Sequence, residues 1–331
     1  MATIESAYSF DNGEIPIGPY WASGGGGANV SVTYAHTGAY GLSVRGNTGY
    51  ARMSMVGSPT DPSVSMWVDL GASFNLVSAW ALRFTLTSGE YVSLIWNAVT
   101  HTFDAYVDGG LVAAGSITVS VNDWFHVQFY CEIDNAGSIN AKINGHESIS
   151  YSGDTLPAGA TANVDYFRIY ASGEINWTRF ADDIVLGHGG YLGNLECHDR
   201  LPNADTAQDD YAPSAGADNY AMVDEIPAND ADYNETNTNG HADELALEDF
   251  DSSDKTPIAV VACVRARMEA ATGDSIKVGV DSNGTEEETE HTLSTTWEYY
   301  FHTAADNPDG DIPWDDAAID ALLLRYEAVI S

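Results

Sequence analysis

The amino-acid sequence predicts an all-β protein built from two β-sandwich domains. In the segment FHVQFYCEID (residues 125–134) apolar and polar side chains alternate strictly, which is typical of a strand with one buried face. The same alternation recurs at residues 66–70, 82–86, 117–121 and 139–143. Short Gly, Asn and Asp clusters separate these segments and no helical periodicity lies between them, so we expect antiparallel sandwiches or jelly rolls.

A change in charge density divides the chain after residue 188. Residues 1–188 hold 17 acidic and 6 basic side chains, a net charge of −11, and residues 189–331 hold 32 and 6, a net charge of −26. The second domain, 189–331, opens with a polar segment at 202–254 that we expect to form loops over a sandwich or to be partly mobile. Strands are predicted at 260–264, 276–280, 297–301 and 322–330, and one acid-capped helical turn at 312–319.

The whole chain of 331 residues is strongly acidic, with 49 Asp and Glu against 12 Lys and Arg and a formal net charge of −37. Such a chain repels nucleic acid and anionic membranes. Carboxylates for Ca²⁺ or a cationic partner are one explanation. Adaptation to saline solvent is the other, because the Debye length falls to about 3 Å at 1 M salt. The scarcity of Lys favours the saline explanation and resembles the composition of halophilic or marine proteins.

From the sequence we expect neither a cysteine-based framework nor a membrane-spanning segment. Its three cysteines, Cys131, Cys197 and Cys263, are far apart and have no metal-site spacing, so they predict small buried apolar residues. The opening segment MATIESAYSFDNG has neither the basic nor the apolar part of a signal peptide. We therefore expect an extracellular location to be reached by assembly into a particle.

Five segments of the first domain resemble the concanavalin A-like, laminin-G-like jelly roll over residues 5–187. They are Phe10-Asp11-Asn12-Gly13, the strand pair at 34–46, Trp124-Phe125-His126-Val127, the hairpin at 132–147, and the closing strand at 180–186 with its Asp182-Asp183-Ile184. The resemblance implies a jelly-roll sandwich for residues 1–188.

The second domain resembles a segment that follows such jelly rolls in structural proteins of tailed phages and related viruses. The matching features include Leu192-Gly193-Asn194-Leu195, Asp230-Ala231-Asp232-Tyr233 and Pro313-Trp314-Asp315. The resemblance implies a non-enzymatic protein of the virion surface, such as a capsid decoration, a turret or a tail appendage that aids host attachment. Its partners would be other virion proteins and copies of itself. The alternative is a carbohydrate-binding, lectin-like adhesion module.

No catalytic residues are predicted. Glucanases with the concanavalin A-like fold carry three carboxylates at Glu-x-Asp-x-x-Glu on one strand. Glu132 and Asp134 supply the first two, but the third position falls on Ala136 or Gly137. A polar strand face is therefore the favoured interpretation, and we expect no enzyme.

Calcium is the only cofactor that the sequence suggests. Asp306, Asp309 and Asp311 lie in a Gly/Pro loop with the oxygen donors that hard cations prefer, although a solvated turn is the simpler interpretation. A second acidic candidate comprises Asp224, Glu225, Asp230 and Asp232. Chance clusters are expected in so acidic a chain.

A carbohydrate ligand, in particular a host surface glycan, would stack on exposed aromatic rings. Trp21, next to Tyr20 and a run of four glycines, and Trp96, next to Asn97, are the candidates. The remaining tryptophans considered, at positions 67, 80, 124 and 297, are predicted to lie in the core.

Overall fold

A computed structural model shows a nearly all-β protein, with 52% strand and 3% helix, which confirms the predicted fold class. It describes residues 3–8, 21–24, 28–31, 35–36, 41–45, 50–55, 57–70, 80–121, 123–171, 178–225, 228–250 and 256–331. The chain divides into two compact units, Met1–Cys197 and His198–Ser331. Among the described residues no helix is long and apolar enough to cross a membrane.

The N-terminal unit contains two antiparallel sheets. Its strands are β1 (Thr3–Tyr8), β2 (Trp21–Gly24), β3 (Ala28–Ser31), β4 (Gly41–Arg45), β5 (Tyr50–Ser54), β6 (Pro62–Asp69), β7 (Trp80–Leu86), β8 (Tyr91–Asn97), β9 (Thr102–Val107), β10 (Gly110–Ala113), β11 (Phe125–Glu132), β12 (Gly137–Ile143), β13 (His146–Gly153), β14 (Val164–Ala171) and β15 (Thr178–His188). The eight-stranded sheet has the order β13-β12-β11-β6-β15-β4-β3, with β1 also paired to β15. The seven-stranded sheet has the order β10-β9-β8-β7-β14-β5-β2.

Alternate residues of the two sheets form an aromatic core. Phe84 and Phe167 of the seven-stranded sheet and Phe129 of the eight-stranded sheet are fully buried. The ring of Phe84 lies 4.8 Å from that of Phe129 and 5.3 Å from that of Phe167, measured between centroids. Each such ring buries a large apolar area, so this cluster is a main source of the unit's stability.

The C-terminal unit has a five-stranded sheet, a two-stranded sheet and a small strand pair. Its elements are β16 (Pro202–Asp209), β17 (Ala212–Pro213), a 3₁₀ helix (Tyr220–Met222), β18 (Asn234–Glu235), β19 (Ala242–Leu247), β20 (Val260–Ala266), β21 (Ser275–Ser282), β22 (Thr285–Thr292), β23 (Glu298–Ala304), α1 (Asp316–Asp320) and β24 (Leu323–Val329). The larger sheet has the order β16-β19-β24-β21-β22, β17 pairs with β18, and β20 pairs with β23.

The core of the C-terminal unit lies between its two larger sheets. Val278 of β21 and Tyr300 of β23 belong to one buried cluster that also includes Trp314. The Trp314 indole donates a hydrogen bond to the backbone oxygen of Ala304 (3.1 Å). Helix α1 follows directly, capped by the Asp315 side chain, as the acidic helical turn predicted.

Two expectations from the sequence are wrong in detail. Residues 117–121 form no strand, because their backbone makes isolated hydrogen bonds, such as that from Val119 N–H to His101 O, and no ladder with a neighbouring strand. The polar segment 202–254 contains two full strands, β16 and β19, of the larger sheet.

The first compact unit extends to Cys197, and Gly193 and Cys197 hydrogen-bond to Ser65 and Asp183 of its sheet. The domain boundary after residue 188 stays a prediction from the sequence.

Candidate functional site

Three arginines form one row on the outer face of the seven-stranded sheet. Leu82 and Phe84, on either side of Arg83 in β7, are fully buried, so Arg83 points away from the core. The strand register places Arg168 of β14 opposite Arg83 on one side and opposite Arg52 of β5 on the other. Since neighbouring strands lie about 5 Å apart, the row is about 10 Å long.

Tyrosine rings cover the faces of these guanidinium groups. The distances from guanidinium carbon to ring centroid are 3.7 Å for Arg83–Tyr91, 3.8 Å for Arg168–Tyr50 and 4.9 Å for Arg52–Tyr166. A fourth ring, that of Tyr170, lies 5.4 Å from both Arg83 and Arg168. All seven side chains are partly buried. We call this set of three arginines and four tyrosines the Arg–Tyr face.

The arginines of the Arg–Tyr face have no carboxylate partner in the part of the chain that the structure describes. Among the side chains that the structure describes, none forms an ion pair with Arg52, Arg83 or Arg168. This is unexpected in a chain with 49 acidic residues. Like charges directly opposite each other on neighbouring strands are destabilising, so the row is held together by ring stacking and not by charge neutralisation.

Burial and the neighbouring arginine disfavour the charged form of Arg83, a cost that a nearby anion would offset. Burial lowers the pKa of Arg83, and the neighbouring charge of Arg168 lowers it further. The Nε atoms of Arg83 and Arg168 are buried and have no hydrogen-bond partner in the described structure. A guanidinium group that is stacked and incompletely hydrogen-bonded is ready to receive a carboxylate on its remaining Nη edge.

The Arg–Tyr face offers groups suited to binding an anion or a ring. Its members are arginines and tyrosines alone, which supply fixed positive charge, hydroxyl donors and ring faces. We did not predict it from the sequence. The sequence does contain one signal for this face: three of its nine arginines alternate with residues that are buried, in the segments YARMS, ALRFT and YFRIY.

The sugar-stacking residues predicted from the sequence are not arranged as expected. Trp96 is 3% exposed and packs against Phe103 in the core, so its ring is not available to a sugar. Trp21 pairs with Met53 in the backbone register, and its side chain lies outside the described residues. Of the tryptophans predicted to be core, Trp80 is buried, whereas those at 67, 124 and 297 are only partly buried.

The predicted calcium loop is a hydrogen-bonded turn. Asp309 accepts a hydrogen bond from the Asn283 side chain (2.9 Å), and its own backbone N–H donates to Asn307. Asp306 and Asp311 are exposed. Among the described residues these three carboxylates do not form one cluster. The acidic groups there that are close enough together to hold a metal ion form a different triplet. In the second acidic candidate, Asp230 pairs with Arg265 at 2.7 Å.

That acidic triplet, Glu244, Asp281 and Glu286, is partly neutralised by an arginine. Arg325 Nη1 lies 3.0 Å from Glu244 and its Nε lies 3.3 Å from Glu286. Burial raises the pKa of Glu244, and the charge of Asp281 raises it further. With a guanidinium group already among the carboxylates, the cluster is an ion-pair network of the five-stranded sheet.

A buried polar layer covers the outer face of the eight-stranded sheet. The Ser65 hydroxyl donates to Gly193 O (2.9 Å), so His126 Nε2 donates to Ser65 Oγ (2.8 Å). Burial lowers the pKa of His126 to about 4, which keeps it neutral. His36 Nδ1 bonds to Asp183 at 2.9 Å. These bonds hold residues 189–197 against the sheet, and Glu132 and Asp134 lie exposed beyond them.

Comparison with known proteins identifies no family for the chain. No protein-family model and no curated protein matches the chain. Among solved structures, the chain is similar to the endo-β-1,4-glucuronan lyase of Trichoderma reesei, with 11% identity, a TM-score of 0.43, and coverage of 56% of this chain and 96% of that one.

Two carbohydrate-binding domains give similar values. Domain 4 of the arabinanase AbnA from Geobacillus stearothermophilus, solved with arabinotriose, has 19% identity, a TM-score of 0.41, and coverage of 58% and 95%. The module CBM66 from Bacillus subtilis has 12% identity, a TM-score of 0.34, and coverage of 50% and 94%. The neighbours are β-sandwich carbohydrate-active and carbohydrate-binding proteins. Likeness at this level carries no conclusion about what this chain does.

Proposed function

We propose that the N-terminal unit is a lectin-like module that binds an acidic glycan on the Arg–Tyr face without catalysing a reaction. The observation that carries the proposal is the row of Arg52, Arg168 and Arg83, which has no carboxylate partner among the described side chains of a chain with net charge −37. An anionic group from outside the protein supplies the missing partner.

The tyrosines make a sugar a better ligand than a simple anion. Sugar rings present apolar C–H faces, which pack on aromatic rings, and hydroxyl groups, which pair with the phenol oxygens. Tyr50, Tyr91, Tyr166 and Tyr170 surround the arginine row and are partly exposed. A ligand with carboxylates and pyranose rings uses both kinds of side chain.

The net negative charge of the whole chain repels an acidic ligand, which makes the proposal more specific. At about 0.1–0.15 M salt the Debye length is 8–10 Å, so distant carboxylates are screened while contacts within the face are not. A chain with four acidic residues for each basic one has little non-specific affinity for polyanions. Saturable binding of an acidic glycan therefore requires a local positive site.

Binding is tested by calorimetry at pH 7 and 0.15 M salt, with an oligomer of glucuronic acid and the glucose oligomer of the same linkage and length. We expect the acidic oligomer to bind and the glucose oligomer to bind at least tenfold more weakly. Arg168→Gln removes a charge-assisted contact and weakens binding by roughly tenfold or more. The control is Arg267→Gln, which removes an exposed arginine of the other unit. Equal losses in the two variants, or equal binding of the two oligomers, would overturn the proposal.

A separate measurement tests whether the module catalyses a reaction. Acid sugars are cleaved without water by β-elimination, in which a base removes the proton next to the carboxylate and the glycosidic oxygen leaves. The product carries a C=C bond conjugated to the carboxylate and absorbs in the ultraviolet. We expect no rise in absorbance when the protein is saturated with the glucuronate oligomer. A rise in absorbance that Arg168→Gln abolishes would show that the protein is an enzyme.

The location on the surface of a tailed virus, and the assembly with virion proteins, stay predictions from the sequence. A glycan-binding face on a repeated particle component would give multivalent attachment to a host surface. Light scattering in molar salt tests the expected oligomer. A monomer that is indifferent to chelator would argue against both self-assembly and the predicted calcium.

A further inference from the structure

We infer, on the basis of the proposed function, that the ligand is a linear chain of acidic sugars that crosses the strands, with successive carboxylates on Arg52, Arg168 and Arg83. The proposed function requires only an acidic glycan at this face. The geometry of the sheet goes further and specifies the direction of the glycan, the spacing of its charges and its minimum length.

The direction follows from the strand register. The three arginines come from three neighbouring strands, β5, β14 and β7, and are directly paired. The row therefore runs perpendicular to the strands, in steps of about 5 Å. An extended chain of pyranose rings advances by a similar step for each sugar, so each strand meets one sugar.

Tyrosines lie in both of the rows that flank the arginines. On one side the register aligns Tyr50 with Tyr170, and β7 carries an alanine at the next position. On the other side it aligns Tyr166 with Thr85 and Thr85 with Tyr91. Two rings therefore lie on each side of the arginine row, and a sugar chain that lies along this row meets rings on both of its edges.

Beyond the three arginines, the row of paired residues continues with uncharged side chains. Arg83 pairs with Ser93 in β8, and Ser93 pairs with Tyr106 in β9. Ser93 is fully buried, and its hydroxyl has no partner among the described residues. The row therefore has three charged positions and then uncharged ones, so a sugar beyond the third gains no further carboxylate–arginine contact.

Charge balance favours a polymer over a single acid. One carboxylate neutralises part of the row and leaves the remaining arginines opposite each other, where like charges repel. Three carboxylates at strand spacing pair with the three guanidinium groups. Because they belong to one chain, the second and third contacts form intramolecularly and multiply the affinity.

The test is a length series of glucuronate oligomers, from one sugar to five, measured by calorimetry with the intact protein at 0.15 M salt. We expect the dissociation constant to fall at least tenfold from one sugar to two and again from two to three. From four to five sugars we expect a change of less than threefold. The dependence of affinity on salt is expected to steepen up to the third sugar, as each additional contact releases counterions.

End variants provide a second, internal comparison. Arg52→Gln and Arg83→Gln each leave two arginines, so each variant is expected to bind the trimer as the unchanged protein binds the dimer. Arg267→Gln is the control and should leave the whole series unchanged. Melting curves of the unliganded variants confirm that they fold, and the length series of the unchanged protein decides the question even where a variant does not.

The outcomes separate the two proposals. If the single sugar binds as tightly as the trimer, the Arg–Tyr face is an acidic-sugar site and the linear footprint is wrong. If Arg52→Gln and Arg83→Gln leave the trimer's affinity unchanged while Arg168→Gln lowers it, the footprint is again wrong. If no oligomer of any length binds, the proposed function falls together with the inference.

Discussion

Replacement of Arg325 by methionine is expected to lower the free energy of unfolding of the C-terminal unit strongly. The guanidinium group is 8% exposed and lies 3.0 Å from Glu244, 3.3 Å from Glu286, 2.8 Å from Glu288 and 2.8 Å from Glu327. Burial alone would lower the pKa of Arg325, but the charges of Glu286 and Glu288 outweigh that effect and raise it. The arginine is thus the positive centre of four carboxylates.

The magnitude follows from what remains after the substitution. Arg325→Met leaves these carboxylates with Lys277 alone, which lies 2.7 Å from Glu327 and 3.7 Å from Glu288. Breaking a buried ion pair by removing one partner costs about 3–5 kcal/mol. We expect a loss of that order at pH 7 and low salt. Arg267→Met, at an exposed position, should change stability by less than about 0.5 kcal/mol.

The pH dependence distinguishes charge repulsion from lost packing. Glu244 already has a raised pKa because it is buried, and removal of Arg325 raises it further. An acid whose folded-state pKa is raised takes up protons on folding, so the variant regains stability as the pH falls from 7 towards about 4.5. Urea unfolding at pH 7 and pH 5 measures this, with hydrogen exchange of the β21 and β24 amides to assign the transition to this unit. A loss below about 1 kcal/mol at pH 7, or the same loss at both pH values, would refute the reasoning.

Three further outcomes are expected in the N-terminal unit. His126 has a folded-state pKa of about 4 because it is buried, so stability is lost as the pH falls from about 6.5 to 4, by about 3 kcal/mol; urea unfolding of His126→Gln at several pH values should show a flatter profile, and parallel profiles would contradict this. Gly115→Ala would place a Cβ 2.1 Å from Phe103 O, whereas at Gly110 the nearest atom is 3.4 Å away, so the first substitution should cost about 1–3 kcal/mol and Gly110→Ala much less, as compared by thermal melting. Phe84→Ala removes a fully buried ring and should cost about 3–5 kcal/mol; a loss under 1 kcal/mol in urea unfolding would show that the core is not organised around it.

The strands predicted from the sequence are those whose two faces differ in polarity. In β11 every second residue is apolar and buried, so local order alone predicts the strand. In β16 the pattern is lost, because among its residues only Pro202 is buried and the rest are polar or small. Tertiary pairing with β19 places that segment in a sheet, and no local signal indicates it.

The candidate site depends on information that a single strand does not contain. The sequence alone indicates on which side of the sheet Trp96 lies, because Trp96 alternates in step with Val92 and Leu94, which are buried core residues. The sequence does not indicate which strands are neighbours or in which register they pair. Arg83 and Arg168 are 85 positions apart in the chain and directly opposite in the sheet, and only the long-range pairing of β7 with β14 brings them together.

The contrast between the two units is consistent with the proposed ligand-binding role of the Arg–Tyr face. In the C-terminal unit Arg265 and Arg325 pair with carboxylates, as expected where acidic residues greatly outnumber basic ones. The N-terminal unit also has an excess of acids, 17 against 6 up to residue 188. Yet the described carboxylates leave the arginine row of the face without an ion pair. A row of three like charges costs stability in the free protein, and under the proposed function a bound anion would remove that cost, so the unpaired state would be the source of the affinity that the calorimetry tests.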